Sequence, residues 1–76
     1  MMNYIKDIIT ENGTTTFFLQ TDDEDTVWYW QVPTESVSGD YLTFVNDERN
    51  SHLGCSVAGF DTLQDAYDDY YGDTEV

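Results

Sequence analysis

The residue types that could run covalent or acid–base chemistry are few and badly spaced for it. His52 and Cys55 lie three positions apart. A cysteine–histidine nucleophile needs both side chains within hydrogen-bond reach and a third group to orient the base. On the short strand expected there, residues three apart point to opposite sides. Ser51, His52, Ser56 and Asp61 supply the residue types of a serine triad. No G-x-S-x-G turn presents a serine at a strand–helix elbow, however. Gly13, Gly39, Gly54, Gly59 and Gly72 are scattered, so no glycine-rich loop cradles a phosphate. No catalytic residue, and no enzyme, is expected.

Metal chemistry fares no better. Asp22-Asp23-Glu24-Asp25 groups four carboxylates, but it lacks the alternation, the central glycine and the closing glutamate of a calcium loop. It reads as a turn that supplies surface charge. Cys55 is the only cysteine, which leaves no intrachain disulfide and no thiolate cluster; it is expected as a small buried hydrophobe. A small domain without such staples suits a reducing interior, so a cytoplasmic location is expected, with neither metal nor cofactor. Met1 to Ile9 lacks the long apolar core of a signal peptide, and no run approaches the ~20 apolar residues of a membrane span.

Charge is the larger signal. Sixteen acids stand against two bases, a net charge of −14. Direct binding to DNA, RNA or anionic lipid needs a basic patch and is excluded. Acidic disordered tails are poor in apolar residues, whereas 39% of this chain is hydrophobic and 16% aromatic, so it is expected to fold. Its length makes one domain, residues 1–76.

The elements that must position these residues follow from periodicity. Tyr4, Ile5, Ile8 and Ile9 fall on one helical face, favouring a short helix within Met1–Gly13. The β-branched residues and the Asn12-Gly13 hairpin signal keep a strand as the alternative. Strands are expected at Thr14–Gln20, Val27–Val32 and Tyr41–Asn46, and a short one at Leu53–Ala58. Pro33 should end the second of these. Trp28 and Trp30 share a face and are expected in the core under Tyr67 and Tyr70 of the C-terminal segment, with Tyr29 and Val27 looking outward. Leu63, Ala66, Tyr67 and Tyr70 form the stripe of an amphipathic helix, with Asp61 as its N-cap and Gly72 as its stop. Residues 73–76 should fray. The sum is an α+β fold: a small antiparallel sheet of three to four strands with the C-terminal helix on one face.

Asp61, Asp65, Asp68 and Asp69 then line the outer side of that helix. Like charges at such spacing destabilise a helix by roughly 0.2–0.5 kcal/mol per pair, and no lysine or arginine offsets them. Stability does not require this arrangement; lysines there would serve solubility as well. A globule of this length has a radius of gyration of about 11 Å and a diameter of roughly 29 Å. Duplex DNA carries ~17 charges over that distance, so the charge per length is comparable. Excess acid also solvates proteins in brine, and halophilic adaptation is a further reading of the composition.

The acidic run Asp22–Asp25, the helix carboxylates Asp61, Asp65, Asp68 and Asp69, and the aromatics Trp28, Tyr29, Trp30, Tyr67, Tyr70 and Tyr71 together resemble small acidic DNA-mimic inhibitors of phages and mobile elements. These include anti-CRISPR proteins, antirestriction proteins and inhibitors of uracil-DNA glycosylase. The resemblance lies in size and charge across the whole chain, not in an aligned motif. It implies a stoichiometric inhibitor, monomeric or weakly dimeric, in the host cytoplasm. Its partner would be a basic nucleic-acid-binding protein, foremost a CRISPR effector or surveillance complex. Asp22, Asp23, Glu24, Asp25, Asp61, Asp65, Asp68 and Asp69 would stand in for phosphates, with Tyr29 and Tyr71 adding contact. The alternative is an antitoxin-like regulatory module that binds a basic protein without excluding nucleic acid.

Overall fold

Asn12 and Gly13 both take positive φ, 54° and 78°, the backbone a two-residue hairpin turn requires. They join β1 (Asn3–Glu11) to β2 (Thr14–Thr21) in the computed structural model, which describes residues 2–72. The preferred N-terminal helix is therefore corrected to the strand alternative. The helical spacing of the isoleucines has a specific cause. Ile5 pairs with Leu19 but Asp7 pairs with Phe18, leaving Lys6 as a bulge. One extra residue in a strand brings positions three apart onto one face. Ile5 and Ile8 thus pack together on one side, and Ile9 packs on the other.

β3 (Val27–Pro33) pairs with β2, and β4 (Cys55–Phe60) with β3, giving an antiparallel sheet in the order β1-β2-β3-β4. Pro33 closes β3 as expected. β4 begins later than expected because a 3-10 turn runs through Leu53, and Gly54 between them lies close on β3: a Cβ there would lie 1.8 Å from the Gln31 carbonyl oxygen.

Tyr41–Asn46, expected as a strand, is helix α1. The Asp40 carboxylate accepts from the Thr43 backbone N–H at 3.0 Å and caps it. Helical winding then turns Phe44 and Val45 together onto the sheet, which alternation could not do. A 3-10 turn, Glu48–Leu53, follows α1 and leads into β4. The C-terminal helix α2 spans Leu63–Tyr71. Its N-cap is Thr62, not Asp61: the Thr62 hydroxyl accepts from the Asp65 N–H at 3.1 Å. Gly72 ends it in left-handed conformation, as expected. The fold is α+β. Residues 73–76, expected to fray, lie outside the described residues.

Both faces of the β2–β3 centre of the sheet are covered. On one, Phe17, Leu19, Trp30 and Val32 pack against Phe44 and Val45 of α1. On the other, Phe18, Val27 and Tyr29 pack under α2, against Ala66, Tyr67 and Tyr70. The expectation of an outward Tyr29 and Val27 is thereby corrected. Trp28 and Trp30 lie beneath α1, not beneath α2, and Tyr29 is only 5% exposed.

Candidate functional site

The residues screened for catalysis do not assemble. Among the described residues, Ser51, His52, Cys55, Ser56 and Asp61 form no side-chain hydrogen bond with one another, and all are exposed. Cys55 is free at the sheet edge rather than buried. Ser51 and Ser56 both line a cleft of about 280 Å³ with Trp28, Trp30, Asp47 and Glu48, but His52 does not reach it. Among the described residues no three His, Cys, Asp or Glu side chains converge on a metal position.

What does assemble is a layer of carboxylates and tyrosines around α2. Tyr29 donates its hydroxyl to Asp69 at 2.6 Å, Tyr70 donates to Glu11 at 2.9 Å, and Tyr67 donates to Asp7. The three bonds fasten the helix to β3 and β1. Burial, reinforced by the Asp69 carboxylate, pushes the Tyr29 hydroxyl up to about 12. The Asp7 bond, with burial, pushes Tyr67 up to about 12. Tyr70 is raised by burial and by Glu11. A negative neighbour that accepts the phenol proton disfavours the phenolate, hence the common direction.

Asp69 is thus a fastening group as well as a surface charge. Asp68 accepts from Gln64 at 3.0 Å, along one turn of the helix. Asp61 and Asp65 are exposed. Segment 61–72 contains no lysine, arginine or histidine. Of the two basic side chains, Arg49 lies on the α1 side and grips Asp47 through Nε at 3.1 Å and a terminal nitrogen at 2.8 Å. That grip holds the Asp47 carboxyl down at about 2. Lys6 sits in the β1 bulge and forms no ion pair among the described residues.

The turn Asp22–Asp25 is exposed and joins β2 to β3. Because Phe60 pairs with Val27, Asp61 leaves the sheet at the end where that turn enters it. Sequence spacing alone does not relate these two groups; the register places them at the same end of the sheet. Asp7 and Glu11 were missed as members of the layer. Their signal was the every-second-residue alternation with Ile9, hidden by the helical reading. Tyr71 is 60% exposed, with its ring held edge-on to Tyr70 at a centroid distance of 4.9 Å. Tyr29 is buried and is removed from the contact residues.

Other acids, Glu35, Asp40, Asp47 and Glu48, belong to the α1 side. The charge is therefore neither uniform nor a single stripe. The longest dimension of the molecule is 38 Å, over which duplex DNA carries ~22 charges. Fourteen net charges fall short of that density, a correction to the comparison with a smaller sphere. Among the described residues no helix is long and apolar enough to cross a membrane. No protein family, curated protein or solved structure compared with the chain matches it.

Proposed function

We propose that this protein is a non-enzymatic, stoichiometric inhibitor that offers nucleic-acid-like charge to the DNA- or RNA-binding groove of a basic protein. A CRISPR effector or another bacterial defence nuclease is the favoured target, acting in the host cytoplasm. The supporting observation is the α2 layer: Asp65 and Asp68, on a helix fastened to the sheet by three tyrosine–carboxylate bonds, and Asp61 just before it carry charge that no cation of segment 61–72 neutralises. Fixed carboxylates lose less freedom on binding than those on a mobile tail. The turn Asp22–Asp25 extends the charge along one end of the sheet.

The test is capture of partners from a bacterial lysate, then competition with duplex DNA across a salt series. The inhibitor reading expects mutual exclusion with DNA and affinity that drops steeply as salt rises. Flat affinity over that series refutes it. The regulatory-module reading is favoured by the acids on the α1 side, which one groove cannot engage together with α2. It expects a ternary complex with DNA.

A further inference from the structure

β4 is an edge strand whose outer side pairs with nothing among the described residues. Natural edges are blunted by charge, proline or bulges. The opposite edge, β1, carries Lys6, Asp7 and Glu11 as well as its bulge. By contrast, Leu53–Phe60 contains no Asp, Glu, Lys, Arg or Pro, and Cys55 through Gly59 are exposed. The guard on β4 is an irregularity between the Val57 and Phe60 pairings, where Gly59 takes φ 99°. This limits the regular edge to Cys55–Val57. At the Phe60 end stand Asp61, the first turn of α2 with Asp65, and the Asp22–Asp25 turn.

We infer that β4 receives an extended segment of the basic partner as a fifth strand, with a lysine or arginine of that segment at the Phe60 end beside Asp61, the carboxylate that directly follows β4. The inference rests on the proposed function for the partner's charge and adds the backbone as a second means of recognition. Main-chain pairing supplies the strand docking, as in other edge-strand complexes, and opposite charge fixes which end goes where. Charge also selects the occupant. A second copy of this chain would bring another 14 net negative charges to the edge, and three regular residues offer too little pairing to overcome that.

The experiment uses the whole protein labelled with ¹⁵N and a short peptide of alternating threonine and valine with arginine at both ends. Two control peptides are used: one N-methylated along a single edge, and one with glutamate in place of arginine. The expected result is shifted and exchange-protected amides within Cys55–Phe60 for the basic peptide. Affinity should fall about tenfold or more on N-methylation, which removes backbone bonds and keeps the charge. The acidic peptide should not bind. Equal affinity for the methylated and unmethylated basic peptides, with shifts confined to the acidic turn and α2, overturns strand addition and leaves the charge-based function standing. No binding of either basic peptide overturns strand addition too. Protection of β4 amides that grows with protein concentration, without peptide, assigns the edge to a second copy and overturns it as well.

Discussion

Replacing Tyr29 with phenylalanine isolates one of the three bonds that fasten α2. The ring keeps its surroundings: it stacks on Phe60 at 5.8 Å, meets Phe18 at 5.6 Å and Tyr70 at 6.0 Å. Only the hydroxyl donated to Asp69 at 2.6 Å is removed. A hydrogen bond to a charged group contributes about 1.5–3 kcal/mol. Asp69 is exposed, so water takes the vacated acceptor position and the loss falls near ~1.5 kcal/mol. For a domain of this size that lowers the melting temperature by roughly 6–12 °C. The pH dependence has a defined sign. The phenol titrates near 10 in the unfolded chain and at about 12 when folded. Its stabilisation is complete below pH 10 and is lost as pH climbs through about 12. The variant has no such proton, so the gap between variant and parent narrows across that interval. Thermal melts followed by far-UV circular dichroism at neutral and at alkaline pH measure both effects. Identical melts near pH 7, or a gap that stays constant to pH 12, would refute the role given to this bond.

Asp68→Lys should weaken partner capture while leaving the melting temperature unchanged or slightly higher, because it removes a like-charge neighbour of Asp65; competition binding and a thermal melt check the two halves. Asp69→Lys should differ from it by also destabilising the fold through Tyr29, which separates fastening from recognition in the same pair of assays. Asp40→Ala should cost about 0.5–2 kcal/mol through loss of the α1 cap, read by urea denaturation. Gly54→Ala should reach or exceed the ~1–3 kcal/mol of an overpacked site, since its Cβ would lie 1.8 Å from the Gln31 carbonyl oxygen; loss of amide protection in Cys55–Phe60 is the expected readout.

The amphipathic stripe of α2, its glycine stop and the strands on either side of Asp22–Asp25 were legible because each obeys a single local period. β1 was not, since the Lys6 bulge inserts a residue and makes a strand repeat like a helix. α1 was read as a strand from Leu42 and Phe44. Yet Tyr41, Leu42, Phe44 and Val45 fit a helix equally well, and Asp40 with Thr43 is a capping pattern three residues apart. The orientation of β3 could not be read from alternation. Val27 and Tyr29 are as apolar as Trp28 and Trp30, and with both faces covered each set is a core. The carboxylate layer depends on Tyr29–Asp69, Tyr67–Asp7 and Tyr70–Glu11, contacts 40 to 60 residues apart. Only the tertiary fold supplies such pairings.

β2 is flanked by strands on both sides and covered on both faces, with Thr15 to Leu19 buried throughout. Phe17 and Leu19 belong to one apolar layer and Phe18 to the other. Neither layer can therefore melt alone, because each would strip half the side chains from the same strand. Denaturation should proceed as a single all-or-none event despite the two layers. The amide protons of Thr15 to Leu19 should exchange with deuterium only when the whole molecule opens.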